Sequence, residues 1–259
     1  ELLENRVQER TEELIEKNRQ LEHSNHELQQ FAAVASHDLK EPLRKIQMFS
    51  NIISERNLSN DEQLNSYIQK IGASCERMTR LINDLLLYSR LSKEDTYEKV
   101  DLAEVVGEVL SDLELTIAEK GAKVTVDELP TINAVPGQMR QIFQNIISNS
   151  LKFMAADTKP AISISAETID SYSTENNVLD KGPYCKISIS DNGIGFDEAF
   201  LDKIFVIFQR LTTKEKHEGT GIGLAIAKKI VDKHKGAITA SSKQNQGATF
   251  VIVLPLSNN

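Results

Sequence analysis

The stretch FAAVASHDLKEPLRKI, residues 31–46, reads as helix, although it holds a proline in mid-run and a histidine off the apolar stripe. Two seven-residue series run outward from it: Val7, Leu14, Leu21, Leu28, Ala35, Pro42 and Phe49, and, offset by four, Thr11, Asn18, Asn25, Ala32, Leu39, Ile46 and Ile53. These are the d and a positions of a heptad. A helix over 3–57 would be roughly 80 Å long at 1.5 Å per residue, more than one compact domain stabilises, so the pattern predicts a partner helix. Asn18 and Asn25 at a positions favour a parallel dimer in one register. His37 falls at f, pointing away from the seam. Pro42 removes the hydrogen bond to the carbonyl of Asp38, which predicts a bend just after His37 at a cost of about 3 kcal/mol in a helix interior. Taken by itself, His37 is equally well a solvated surface residue.

A turn at NLSND (57–61) leads into a second helix with the seam Leu64, Ile68, Ile71, Cys75, Met78, Ile82 and Leu85. Two such hairpins build a four-helix bundle, which implies a homodimer. After the polar stretch SKEDTYEK the pattern changes. Strand-like alternation is expected at 123–129, 161–169, 184–191, 237–242 and 248–255, and helices at about 102–119, 136–153 and 222–235. Residues 170–182 read as a long hairpin loop. The expected fold class is α + α/β: a coiled coil and helical hairpin forming a dimeric bundle, then an α/β sandwich.

Composition narrows the function. The 259 residues are 40% hydrophobic and 26% charged, with a net charge of −8 and no basic block, so a nucleic-acid partner is not expected. No run of about 18 apolar residues is present, so no membrane contact is expected within this stretch. The chain starts inside an apparent helix without Met and reads as a fragment, with room for a membrane anchor upstream. Cys75 and Cys185 lack metal-ligand spacing and read as buried thiols in a reducing, cytoplasmic compartment.

Three motifs in the second half bear on nucleotide chemistry. In NIISNSLKF (145–153), Asn145, Asn149 and Lys152 share a helix face, a row able to hold Mg²⁺ through an amide oxygen and to offer an ammonium to phosphate, though also an ordinary solvated face. In DNGIGF (191–196), Asp191 at a strand end can accept from an exocyclic amine such as that of adenine, while Gly193 and Gly195 permit close backbone approach. In EGTGIGLAIAKKIV (218–231), Gly219, Gly221 and Gly223 leave backbone N–H groups free at a helix N-terminus, where phosphate is favoured. That loop is neither a Walker A loop nor a dinucleotide fingerprint.

The ordered set of HDLKEP on a heptad helix, the Asn-rich helix, DNGIGF, the double-phenylalanine segment IFVIFQRL and GTGIGLAI closely resembles the sensor histidine kinases of two-component signalling, nearest their phytochrome-like branch. The resemblance covers nearly the whole chain. It implies a signalling coiled coil over 1–30, a dimerisation and histidine phosphotransfer domain over 31–92, a linker over 93–99 and a catalytic ATP-binding domain of the GHKL type over 100–257. It makes His37 the phosphoacceptor and Asp38 its proton partner. Asn149 becomes a Mg²⁺ ligand supported by Asn145, with Lys152 on phosphate and Phe153 beside it. Asp191 reads adenine, with Gly193 and Gly195. Phe205 and Phe208 match the family's F-box, Arg210 meets the γ-phosphate, and 212–218 form a lid over ATP. Gly219, Thr220, Gly221, Gly223 and Leu224 complete the phosphate turn, and Thr249 assists adenine binding through water.

The implied cofactors are ATP and Mg²⁺. The implied partners are a second copy, a response regulator receiver domain and an upstream sensor domain. The competing reading is a dimeric ATP-binding scaffold without phosphotransfer. Glu41 stands where many relatives have Thr or Asn, which predicts weak regulator phosphatase activity, and Ile207 stands where many have Arg. His23 and His26 are expected on the coiled-coil surface, His217 in the lid, and His234 as a cation at a helix C-terminus.

Overall fold

The computed structural model describes residues 17, 39–40, 42–53, 61–91, 96–155, 158–174, 177–179, 182–209 and 220–256. The chain divides into two compact units, Glu1–Ile82 and Asn83–Asn259. The expected coiled coil, the bend after His37 and the turn at 57–60 lie outside the described residues, apart from Lys17, which is helical and exposed.

In the first unit, residues 39–40 are already helical, and helix α1 (42–53) carries a buried Pro42. Phe49 stacks on Tyr67 of α2 (Asp61–Arg90) with centroids 5.5 Å apart. Burial on α2 falls on Ser74 and Leu81, seven residues apart, and Ser74 satisfies its hydroxyl on the carbonyl of Lys70 at 2.8 Å. Of the expected seam, Leu64, Ile71, Met78 and Leu85 are half-buried, whereas Ile68 and Ile82 remain 52% and 42% exposed. Cys75 is likewise exposed rather than buried. The reason is geometric: one helical hairpin covers one stripe of a 30-residue helix, and the heptad stripe beside it stays open in a single chain.

The second unit starts in the last two turns of α2 and continues into a two-layer sandwich. Strand β1 (Glu98–Asp101) leads into α3 (Leu102–Asp112), whose N-terminus is capped by the Asp101 carboxylate accepting from Ala103 and Glu104 N–H. The helix expected over 102–119 breaks at Leu113 (φ −94°, ψ 4°), and α4 (Glu114–Lys120) follows, closed by Gly121 in the left-handed region. Leu102, Val105, Val106 and Val109 hold α3 on the core. No residue of α4 is fully buried, and its contacts are with α3 and α5.

The main sheet has the order β2 (Lys123–Val126), β4 (Ala161–Ile169), β7 (Tyr184–Asp191), β9 (Ala248–Pro255), β8 (Ala237–Ser242), antiparallel except for β2 with β4. These five are the expected strands, β2 ending three residues early. Two short ladders were not anticipated. β1 pairs with β3 (Thr131–Ala134), burying Val100 against Ile132, and β5 (Tyr172–Thr174) pairs with β6 (Asn177–Leu179) inside the expected loop. Helices α5 (Pro136–Lys152) and α7 (Gly223–Lys233) pack on each other and on the sheet, and α3 packs on α5. Ile142, Ile146, Ile147, Ile226 and Ile230 meet Ile164, Ile187, Ile189 and Ile252 in the core, each 0–1% exposed. Each such side chain contributes about 1.5–3 kcal/mol on burial.

His234 is not the cation expected. It is buried, its Nδ1 lies 2.8 Å from the carbonyl of Ile230, and its Nε2 accepts from Val135 N–H at 3.2 Å. An acceptor nitrogen carries no proton, so the ring is the neutral tautomer with hydrogen on Nδ1, and it packs 5.0 Å from the Tyr97 ring.

The two cysteines therefore differ in reactivity. Burial in β7 pushes the Cys185 thiol up to about 12, so it stays protonated through the alkaline range, whereas Cys75 is open to solvent. A thiol reagent in mildly alkaline buffer is expected to titrate one thiol per native chain and the second only in denaturant, with peptide mapping placing the fast label on Cys75. Equal native labelling of both would contradict this packing.

Candidate active site

The site lies wholly in the second unit and is built on the end of β7. Asp191 closes that strand, and its carboxylate takes three donors: Gly193 N–H at 2.9 Å and Ala248 N–H at 3.2 Å on Oδ1, and the Ser150 hydroxyl at 2.9 Å on Oδ2. The carboxylate thereby joins α5, the following loop and β9. The glycines of DNGIGF have distinct reasons. A Cβ on Gly193 would stand 2.4 Å from the Phe153 carbonyl, and Gly195 adopts φ +58° with the Lys243 carbonyl 2.3 Å from where a Cβ would be. Beneath this loop Ser242 receives Phe196 N–H at 2.8 Å and donates to the Gly247 carbonyl at 2.8 Å.

The distant motifs are joined largely through backbone groups. Ile194 N–H donates to the carbonyl of Phe153, the residue that ends α5, at 2.9 Å. Phe208 N–H donates to the Gly221 carbonyl at 2.9 Å, with both residues left-handed, at φ 65° and 73°. The Asn145 amide nitrogen donates to the Gly223 carbonyl at 2.8 Å, tying α5 to the first residue of α7. Gln141, one turn earlier, donates to the Asn145 oxygen at 2.9 Å and so fixes which way that carboxamide points. Asn145 is thus engaged at both ends of its amide.

Asn149 lies one turn further on, half-buried, and Lys152 sets its ammonium 4.5 Å from the Phe153 ring centroid. Thr249 pairs its hydroxyl with that of Ser190 at 2.9 Å, and both Asp191 and Thr249 line a cavity of about 280 Å³. Phe205 is half-buried at the end of α6 (Leu201–Ile204), and Leu224 is half-buried in the first turn of α7. The N-cap residue of α7, Ile222, makes no side-chain cap, and a helix N-terminus of this kind favours negative charge beside Thr220, Gly221 and Gly223. His37, Asp38, Arg210, Gly219 and the lid at 212–218 lie outside the described residues.

Sequence reasoning missed Gln141, Ser150, Ser242 and Gly247. Ser150 sits inside the quoted NIISNSLKF beside Asn149, but its role depends on facing the sheet, where it is 2% exposed. Gly247 precedes the noted Thr249 by two. At φ +83°, a Cβ there would stand 1.9 Å from the Asp191 carbonyl.

A helix row lashed to a glycine turn, set over a strand-end carboxylate, defines a nucleotide-binding α/β sandwich. Residues 134–258 match the histidine kinase-, DNA gyrase B- and HSP90-like ATPase family, and residues 27–94 match the His Kinase A (phospho-acceptor) domain. The chain is 39% identical over 254 residues to cyanobacterial phytochrome A of Nostoc sp., and 36% identical over 258 residues to the phytochrome-like protein Cph1 of Synechocystis sp.. Those alignments cover 97% and 98% of this chain and 32% of each relative, so the chain spans about a third of the length of the curated relatives it matches. The histidine kinase ThkA, solved in complex with the response regulator protein TrrA, has the same fold at a TM-score of 0.64 and 21% identity, over 87% of this chain and 60% of that one. The chain belongs to the sensor histidine kinases, with a phospho-acceptor domain followed by an ATPase domain.

Gly247→Ala tests the geometry of this site. Left-handed backbone and a collision with the Asp191 backbone together are expected to cost about 2–3 kcal/mol in chemical denaturation. A loss below about 0.5 kcal/mol would show that Gly247 does not set the position of Asp191.

Proposed function

We propose that this chain is the core of an ATP-dependent protein-histidine kinase, which takes the γ-phosphoryl group of ATP onto His37 and passes it to an aspartate of a response regulator. The observation that carries this reading is the binding of three separate motifs into one site, Asn145 to Gly223, Phe153 to Ile194 and Phe208 to Gly221, in a chain that also has a phospho-acceptor domain spanning His37. In this reading Asp191 receives the exocyclic amine of adenine, with Thr249 assisting through water, and Gly193 and Gly195 let the backbone approach the ring. The polyphosphate lies along Thr220–Leu224, neutralised by Lys152 and Arg210. Phe205 and Phe208 form the wall from which the lid departs.

Among the described residues no group of three or more His, Cys, Asp or Glu stands together as a metal nest, and Asn149 offers one amide oxygen. That donor set fits Mg²⁺, which retains waters and takes much of its coordination from nucleotide phosphates. When bound, the ion spreads charge developing on the phosphate oxygens. The imidazole nitrogen of His37 attacks the γ-phosphorus from about 3–3.5 Å, in line with the leaving oxygen. An N–P bond forms as the P–O bond to ADP breaks, while Asp38 holds or takes the proton of the other ring nitrogen.

The division into a coiled coil (1–30), a phosphotransfer bundle (31–92), a linker (93–99) and a catalytic domain (100–257) supplies the freedom this needs. The open stripe at Ile68, Ile82 and Leu86 supports a homodimer, and the regulator bound to ThkA supports a receiver-domain partner. The phytochrome relatives support an upstream sensor. Two free thiols fit the cytoplasm, where we place the reaction.

Incubation with γ-labelled ATP and Mg²⁺ is expected to give alkali-stable, acid-labile label that a His37→Gln variant loses entirely. Nucleotide binding without any label would leave an ATP-binding scaffold instead. The carboxylate of Glu41 repels the acyl phosphate of a regulator, so Glu41→Thr is expected to dephosphorylate that regulator several-fold faster, and an unchanged rate would remove Glu41 from that role.

A further inference from the structure

The proposed phosphotransfer makes no use of Asp84, yet this carboxylate reaches the phosphate turn. Asp84, Tyr88 and Leu91, at spacings of four and three, run along one side of the end of α2, inside the second unit. Thr220 donates its hydroxyl to Asp84 Oδ2 at 2.7 Å while accepting Ile222 N–H at 3.4 Å. One turn along α2, the Tyr88 ring lies 3.9 Å from Lys229 Nζ. At the end of the helix, Lys233 Nζ donates to the Leu91 carbonyl at 2.9 Å, and the Tyr97 hydroxyl donates to the Lys233 carbonyl at 3.2 Å. These contacts form a seam along α7 whose anionic end lies at the helix N-terminus, where Ile222 provides no side-chain cap.

A helix N-terminus favours an anion, and here Asp84 supplies one through Thr220. The nucleotide reading above, on which this inference rests, puts the ATP polyphosphate on the same turn. Two anions at one site repel, and Thr220 has a single hydroxyl proton to donate. We infer that the end of α2 is a latch on the phosphate turn: Asp84 and the nucleotide polyphosphate compete for Thr220 and the N-terminus of α7. Nucleotide binding releases residues 84–91 from α7, and their docking weakens nucleotide binding by the same factor, because coupling between two binding events is reciprocal. Tyr88 on Lys229 and Leu91 on Lys233 set how strongly the latch holds without touching the phosphate site. Asp84 is therefore a regulatory residue, outside the catalytic set.

The test is ADP affinity, measured by calorimetry on the whole chain, for Asp84→Asn, Asp84→Ala and Tyr88→Ala beside the unaltered protein, with hydrogen exchange of amides 84–91 with and without ADP. Removing the charge, or the aromatic hold, is expected to tighten ADP about fivefold or more, the lower end of ordinary coupling between sites, and ADP is expected to speed exchange at 84–91 in the unaltered chain. Tyr88→Ala and the exchange measurement keep the proposal open to refutation should changes at Asp84 disturb folding. If the unaltered chain binds ADP and the three variants bind within twofold of it, the latch is wrong and the nucleotide site stands. Weaker binding by the Asp84 variants would make Asp84 part of that site and overturn the latch as well. Failure of every form to bind ADP would remove both readings.

Discussion

The second unit is organised around the Asp191 carboxylate. It is a group that α5, the DNGIGF loop and the start of β9 all address, through the Ser150 hydroxyl and two backbone N–H groups. Hydrogen bonds to a charged acceptor contribute about 1.5–3 kcal/mol each, and a donor left unmet in the interior costs a similar amount. The backbone around it has no room for side chains, which is why Gly193 and Gly247 flank it: either would place a Cβ within 2.4 Å of a carbonyl oxygen. A carboxylate fixed in this way is a reference point for reading a ligand, because it need not reorganise when one arrives.

From Asp191 the order spreads through hydrogen bonds between segments far apart in the chain. The end of α5 is held by Ile194, the start of α7 by Asn145, and the phenylalanine segment by Gly221. Only one of these three uses a side chain. Motifs in the sequence advertise side-chain identities, whereas the contacts that assemble them are mostly N–H to C=O and leave no mark on composition. That is why each motif alone reads as an ordinary turn or solvated face, and why their order along the chain carries more than any one of them.

Legibility followed the same division. Periodicity revealed α5, α7 and the five main strands, because each buries one face over enough residues to show a pattern. β1 and β3 have four residues each, too few for alternation to stand out, and the break at Leu113 precedes a helix, α4, that buries no residue fully. The charge on His234 was misjudged because a C-terminal histidine followed by Gly236 looks the same in sequence whether it faces water or the Val135 N–H. Cys75 was misplaced by one helical position, since a heptad pattern marks the stripe that wants covering and does not say whether the same chain covers it. Gln141 and Ser242 act through a single polar atom each, which only a three-dimensional neighbour reveals.

Phe208 shows how local strain is distributed at the site. A non-glycine residue in the left-handed region costs about 1–2 kcal/mol relative to its right-handed alternative. Here that cost accompanies the Phe208 N–H bond to Gly221, a residue that adopts the same region freely. This pair fixes the two ends of the intervening chain to one another, while Asn145 fixes the far side of the turn to α5. Lys152, set 4.5 Å from the Phe153 ring at the end of α5, stands where the same hydrogen-bonded frame holds it in register with Gly193 and Asp191. The strained residue at the edge of this frame is thus held by its own N–H bond to Gly221, while Asn145 secures the other side of the turn independently of it.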